Sequence, residues 1–201
     1  MYERTQQLKD PASPIYGCDA FWNTFWNLNQ LWALATPDIM NKWVESLLEY
    51  YRVGGWLPNG PPGVEYCDIM GAQHEIPLMV SAYQKGIRNY DVDKAYEAVK
   101  KTLTTQGTAL SSGGIVGNRH LDVYLKYGFV PYGEKSHHNV FGTTYEGPTS
   151  NTLEYAFDDW NAAQFAKALG YEEDYDYFTR RAYNYKNVFD SETKYVRPKY
   201  S

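Results

Sequence analysis

The spacing of hydrophobic and polar positions along this chain is helical almost throughout. Phe21, Phe25, Leu28 and Trp32 recur every three or four residues, which is the period of one face of a helix. Residues that favour helix ends punctuate the pattern, as at Thr36-Pro37, where an N-cap precedes a proline suited to the first helical position. Together these signals predict helices over residues 21–35, 37–52, 75–88, 91–105, 118–127, 152–169 and 172–190.

The connections between these helices hold most of the glycine, proline and serine. Residues 56–63 and 104–117 predict loops, and residues 129–150 predict a long irregular segment of a kind that is often functional. Strand-type alternation is confined to short pieces. The pattern therefore predicts an all-α protein, and it leaves a closed helical toroid and an open helical array as alternatives.

Composition narrows the classes of partner. The chain has 201 residues, enough for one domain with a core, and a formal net charge of −5 without a basic run, which argues against nucleic acid. No apolar stretch approaches the roughly 20 residues of a membrane span, and residues 1–9 lack the features of a signal peptide. Two cysteines, Cys18 and Cys67, can pair or stay free. Aromatic residues make up 17% of the chain, including 20 Tyr, and favour either carbohydrate stacking or a tyrosine-rich core.

The run Thr152-Leu-Glu-Tyr-Ala-Phe-Asp-Asp-Trp160 carries the most specific chemistry. Glu154 and Asp158 are four residues apart and share one face of the predicted helix. A carboxyl group against an apolar wall keeps its proton to higher pH and can act as a general acid. The alternative from spacing alone is a solvated helix face for Asp158 and Asp159, with Glu154 an ordinary acid near the positive end of the helix dipole.

Four motifs occur in an order that resembles glycoside hydrolase family 92, the calcium-dependent exo-acting α-mannosidases. The resemblance extends over nearly the whole chain from about Tyr16. The motifs are Gly54-Gly55-Trp56-Leu57-Pro58, Ala82-Tyr83-Gln84-Lys85-Gly86-Ile87, the run from Thr152 to Trp160, and Asn184-Tyr185-Lys186-Asn187-Val188-Phe189-Asp190.

The resemblance implies a fold and a mechanism. The family's catalytic domain is an (α/α)6 toroid preceded by a β-sandwich, and its members invert configuration at the anomeric carbon. By resemblance Glu154 is the general acid of a reaction that removes terminal α-linked mannose, with an α-1,2 linkage expected, from a mannose-containing glycan. The family's base lies in a later Gly-Asn-Asp-type motif that is not found before Ser201, and most calcium ligands are expected beyond this chain. We therefore expect residues 1–201 to be part of a toroid, without the sandwich or the last toroid helices, in a secreted, periplasmic or cell-surface parent.

The resemblance also nominates residues that bind substrate or support the acid. Asp158 and Asp159 are candidates to support Glu154, whereas the adjacent pair His137-His138 is not expected to bind metal. The predicted substrate-binding residues are Trp22, Asn23, Trp56, Glu65 and His74.

Some positions depart from the family pattern. Asn23 and Trp26 stand where the family often has Asp and Arg, and Ser81 stands where it commonly has Asp. These departures keep a second hypothesis open, a non-catalytic glycan-binding or inactive helical domain. A polysaccharide lyase ranks last, because no arginine cluster marks a site for a uronate. An interrupted toroid would also expose apolar helix faces, so the isolated chain is expected to self-associate.

Overall fold

The computed structural model describes residues 15–61, 66, 71–110, 115–133 and 147–201. Helices dominate these ranges, as the hydrophobic spacing predicts. They are α1 (Leu28–Ala35), α2 (Pro37–Gly54), α3 (Glu75–Gln84), α4 (Val92–Thr104), α5 (Leu121–Tyr127), α6 (Pro148–Leu169) and α7 (Glu172–Ala182). Two-residue strands, β1 (Thr108–Ala109) and β2 (Ile115–Val116), form an antiparallel pair within the connection that the sequence predicts as a loop.

The helix ends follow the residues that punctuate the sequence. Pro37 and Pro148 begin α2 and α6, where proline's fixed φ suits the first turn and its missing N–H is not needed. The Asp91 carboxylate caps α4 by accepting a hydrogen bond from the Lys94 N–H at 2.9 Å. Gly170 ends α6 in the left-handed conformation, with φ of 81°.

The predicted bounds are wrong at two helices. Residues 21–35 do not form one helix, because Asn23 adopts a left-handed φ of 70° that no continuous helix accommodates. A 3₁₀ turn at Thr24–Trp26 precedes α1 instead. The last helix ends at Ala182 and continues only as a 3₁₀ turn over Tyr183–Val188. The other helix ends lie within four residues of their predicted positions.

The helices pack around α6. α6 packs against α7, α3 and α4, and α1 packs against α2 and α3. The main core lies between α2, α3, α4, α6 and α7, and includes Met40, Leu47, Met79, Val99 and Phe165, all fully buried. Because α3 and α6 lie side by side, the start of α3 is brought next to the first turns of α6. Within the described ranges, none of the helices combines the length and apolar character needed to cross a membrane.

Candidate active site

The start of α6 is fixed to the loop that follows α5. The buried Thr152 hydroxyl donates a hydrogen bond to the Pro148 carbonyl at 2.8 Å and accepts one from the Val130 N–H at 2.9 Å. This tie holds the first two turns of α6, and Glu154 stands in the second of them.

Glu154 contacts two of the side chains that the sequence analysis nominates. Its Oε2 lies 2.8 Å from Nε2 of His74, and the Trp22 indole N–H donates to its Oε1 at 3.5 Å. The Glu154 side chain is 26% exposed, whereas that of His74 is 1% exposed. The structure therefore brings Trp22, His74 and Glu154 together, with the carboxyl group at the boundary between the interior and solvent.

His74 is enclosed by aromatic rings and carboxyl groups. The edges and faces of Phe25 and Phe157 meet its ring at near-perpendicular angles, with centroids 5.3 and 5.9 Å away. Burial acts to lower the pKa of His74, but the hydrogen bond to Glu154 and the negative charges of Asp158 and Glu154 outweigh it, so that the pKa is raised. The ring is thus held rigidly against Glu154 in an environment that favours a proton.

Asn23 reaches the site through its backbone. Its N–H faces Nδ1 of His74 at 3.4 Å, from the left-handed conformation that asparagine tolerates better than most residues. The Asn23 side chain is predicted from the sequence to bind sugar, but the contact with His74 is made by the main chain. That part of the prediction therefore stays untested.

Two fully buried carboxyl groups lie behind His74. Oδ2 of Asp158 accepts a hydrogen bond from the Gln73 N–H at 2.8 Å, while its Oδ1 has no partner among the described residues. Glu75, the first residue of α3, has no hydrogen-bond partner outside its own backbone in the same part of the chain. Burial raises the pKa of Glu75 to about 8 and holds that of Asp158 well above its usual range, although His74 and the Gln73 N–H oppose the latter shift.

Asp159 belongs to a different network on the other side of α6. Its Oδ2 accepts hydrogen bonds from the Tyr124 hydroxyl at 2.9 Å and Nε of Arg181 at 3.1 Å. Its Oδ1 forms an ion pair with Nη2 of Arg181 at 2.7 Å, without hydrogen-bond alignment. Burial raises the pKa of Asp159 to about 7 against the opposing effects of Arg181 and Tyr124. The solvated helix face considered for Asp158 and Asp159 is therefore wrong, because both are fully buried.

The remaining nominated residues lie elsewhere. Trp56 packs with Tyr66 and Val116, and the Lys101 ammonium lies 4.8 Å from its ring centroid, so its described contacts are not with Glu154. Glu65 and the pair His137-His138 fall outside the described residues.

A cleft opens beside the Glu154 site. It has a volume of about 460 Å³, and Phe25 and Phe157 separate it from His74. Residues of α1, α3 and α6 line it, among them Ser81 and Trp160. Asn29 also lines it, and the buried amide of Asn29 has no partner in the described ranges. The cleft combines aromatic rings with amide and hydroxyl groups.

The described residues do not supply a calcium site. Calcium takes six to eight oxygen ligands. No group of three or more His, Cys, Asp or Glu side chains that could hold a metal ion is found in the described ranges. At the Glu154 site, His74 offers a nitrogen ligand rather than an oxygen, and the Asp158 carboxyl group is fully buried.

Three residues near His74 are not predicted from the sequence as part of the site: Glu75, Gln73 and Phe157. An acid in the first turn of a helix is usually explained by the helix dipole, which hides Glu75. One signal could have identified it: the segment from Glu75 to Tyr83 is apolar on all sides, which indicates a helix buried all round. A carboxyl group heading such a helix is expected to be buried as well.

Comparison with known proteins identifies the family that this chain resembles. The family model described as the glycosyl hydrolase family 92 catalytic domain matches residues 1–201. A curated relative, described as an uncharacterized secreted glycosidase from Arthroderma benhamiae, is 27% identical. The match covers 87% of this chain and 23% of that protein.

Solved structures of the same family match the fold. A family GH92 inverting mannosidase from Bacteroides thetaiotaomicron gives a TM-score of 0.79 at 29% identity, with 90% of this chain and 23% of the other covered. A family GH92 α-mannosidase from the same species gives 0.77 at 30% identity, with 92% and 22% covered, and it has also been solved with mannoimidazole. The chain thus spans under a quarter of the length of these relatives, and the prediction of an all-α chain that is part of a helical toroid is confirmed. This chain belongs to glycosyl hydrolase family 92, within the catalytic domain of that family.

Proposed function

We propose that this chain is the segment of an exo-α-mannosidase that carries the general acid, and that Glu154 is that acid. The observation that supports the proposal is the position of Glu154. Its carboxyl group is partly exposed beside a buried histidine, on the helix whose sequence resembles the family's acid motif. The solved relatives named as mannosidases supply the substrate class.

The hydrogen bonds around His74 indicate which oxygen of Glu154 carries the proton. Because the Asn23 N–H faces Nδ1, the proton that His74 directs at Glu154 lies on Nε2, which donates a hydrogen bond to Oε2. The acidic proton then lies on Oε1, on the side of Trp22 and away from the buried ring. Protonation of the leaving glycosidic oxygen would proceed from Oε1, with His74 fixing the orientation of the carboxyl group.

The proposed reaction proceeds with inversion at the anomeric carbon. An inverting hydrolase places the base roughly 6.5–9.5 Å from the acid, with a water molecule between them. Asp158 does not suit that role, because it is fully buried with no room for a water and a sugar. We infer that the base belongs to the part of the relatives' catalytic domain that this chain does not span. By the family resemblance, calcium ligands are expected mostly outside this chain; among its described residues no group of three or more His, Cys, Asp or Glu side chains could hold a metal ion.

Replacing Glu154 in the complete enzyme tests the proposal. Glu154→Gln removes the transferable proton and keeps the shape, so we expect turnover of an unactivated α-1,2-linked mannobiose to fall about a hundred- to ten-thousand-fold. The loss should be much smaller for an aryl mannoside with an acidic phenol, because such a leaving group departs without a proton. Glu172→Gln, an exposed change in the first turn of α7, is the matched control.

Several outcomes would redirect the assignment. Near-native turnover of the unactivated disaccharide by the Glu154→Gln enzyme would contradict an acid at this position. Binding of mannose by the unmodified parent without hydrolysis would favour the non-catalytic, glycan-binding alternative. A panel of α-1,2, α-1,3 and α-1,6 mannobioses would test the proposed linkage. Secretion of the parent, suggested by the description of the fungal relative, is testable by fractionation of cells that express it.

A further inference from the structure

Asp158 and Glu154 hold two consecutive residues of the segment that precedes α3. They are one turn apart on α6, and their carboxyl groups contact Gln73 and His74 respectively. Asp158 accepts the Gln73 main-chain N–H at 2.8 Å, and both groups of this contact are fully buried. α6 therefore contacts residues 73 and 74 at two points, which are one helical turn apart on α6.

The contact between Asp158 and the Gln73 N–H determines where the His74 ring lies. Gln73 and His74 immediately precede α3, and the Gln73 carbonyl accepts the Ile76 N–H at 2.9 Å. In this segment the Gln73 N–H is directed at α6 rather than into α3. Loss of its acceptor would leave a buried N–H without a partner and would favour movement of the segment. Such a movement would displace the ring that orients Glu154.

Burying a carboxyl group at position 158 costs free energy of folding. Asp158 lies within the electrostatic range of two further acids, Glu75 and Glu154, and His74 is the described side chain whose positive charge acts on it favourably. A buried carboxyl group with one orphan oxygen and acidic neighbours is not a stability device. The geometry of Asp158 instead fits a residue that holds Gln73, and with it His74, in place.

We propose that Asp158 is a positioning residue for the general acid, acting through the Gln73 N–H and the His74 ring to fix the Glu154 carboxyl group. The proposal rests on Glu154 being the acid. It separates Asp158 from Asp159, which contacts neither Gln73 nor His74 in the described network.

Two substitutions, one apolar and one nearly isosteric, separate loss of the acceptor from a change of the side chain that keeps it. Asp158→Leu removes the acceptor, whereas Asp158→Asn keeps an oxygen that can accept the Gln73 N–H. In the complete enzyme we expect kcat on an unactivated mannobiose to fall about ten- to hundred-fold in the leucine variant, with KM little changed, since a small displacement of an acid is costly. The asparagine variant should keep most of kcat. Asp158→Ala replaces the leucine variant if that protein does not fold.

A cycle with His74 tests whether Asp158 acts through it. In a His74→Ala enzyme the further change Asp158→Leu should cost less than twofold, because the residue being positioned is already gone. Asp174→Asn, on α7, is a control for neutralising an aspartate away from the site. Equal losses in the presence and absence of His74, or equal losses in the leucine and asparagine variants, would overturn the proposal.

Hydrogen exchange gives a readout that does not depend on activity. The Gln73 amide should exchange at least about tenfold faster in the leucine variant than in the asparagine variant or the unmodified protein. If Glu154→Gln remains active while this difference is seen, the assignment of the acid fails and the anchoring of the segment stands. If Glu154→Gln is inactive but exchange at Gln73 does not change, the positioning role fails on its own.

Discussion

The two sides of α6 place adjacent aspartates in opposite situations. Asp158 and Asp159 are consecutive, and both are fully buried. Asp159 meets a guanidinium and a phenol, which partner its oxygens within 3.1 Å. Asp158 meets one main-chain N–H and keeps an oxygen without a partner among the described residues.

This contrast indicates what each side of the helix does. Buried polar groups in folded proteins are almost always hydrogen-bonded, and the exceptions concentrate where a site tolerates the cost. The Asp159 side ties α4, α5, α6 and α7 together, because Arg181 also donates to the Leu103 carbonyl at 2.8 Å. The Asp158 side is less satisfied, and it is the side that carries Glu154. We interpret the first as structural and the second as functional.

The largest expected effect comes from breaking the Asp159 network. Asp159→Leu leaves the Arg181 guanidinium buried without a counter-charge, so we expect the free energy of unfolding to fall by about 3–5 kcal/mol. The same change at Asp158 removes one hydrogen bond from a group that, in the part of the chain the structure describes, has no cationic partner apart from His74. Its cost in stability should be about 1–2 kcal/mol. Urea denaturation followed by circular dichroism measures both.

A double variant sharpens this test. Asp159→Leu with Arg181→Met replaces the ion pair by apolar side chains of similar size and should recover most of the lost stability. Equal losses of stability at Asp158 and Asp159 would contradict the division into a functional and a structural side.

The helical part of this arrangement could be predicted from local sequence, and the contrast between the two aspartates could not. Pro37, Asp91 and Gly170 act on their own helix, so the ends that they mark are readable from sequence. Asp158 and Asp159 look alike in sequence, and spacing alone favours a solvated face for both. Their partners lie 85, 35 and 22 residues away along the chain.

The same limit applies to the candidate site. Glu154 and the residues Trp22 and His74 could be nominated because their motifs resemble a family. The 2.8 Å contact between His74 and Glu154 joins residues 80 positions apart, and only packing of α3 against α6 creates it. The sequence predicts a role for the Asn23 side chain, yet its left-handed main chain makes the contact with His74. A backbone conformation of that kind leaves little trace in a single sequence.

An intermediate effect is expected at Glu75, the other buried acid on the Asp158 side. Its pKa is raised by burial from 4.5 to about 8, so the folded state binds a proton that the unfolded state has released. The free energy of unfolding should therefore fall as pH rises through this range, by about 3 kcal/mol between pH 4.5 and pH 7. Glu75→Gln cannot ionise and should remove this part of the pH dependence.

Denaturation of both proteins at several pH values from 4.5 to 8 provides the measurement. Glu172→Gln, which changes an exposed acid in the first turn of α7, is the matched control. An unchanged slope in the Glu75→Gln protein would show that Glu75 ionises normally. The side of α6 that carries Asp158 would then lie beside an ionised Glu75, and so beside more negative charge than a protonated Glu75 gives.

The smallest effect on folding is expected at the third side of α6, which is turned towards the cleft. Trp160 on this side is 51% exposed, and Leu34 on α1 is 85% exposed. Exposed apolar surface of this kind favours association, so the isolated chain should self-associate at micromolar concentrations in sedimentation velocity experiments. Trp160→Gln with Leu34→Glu should shift the population towards monomer while changing stability by no more than about 0.5 kcal/mol.

Tyr195→Glu, at a residue 73% exposed near the C-terminus, is the control that should not alter association. A chain that stays monomeric at all concentrations would show that this side of α6 needs no partner, and α6 would then differ on two of its sides rather than three.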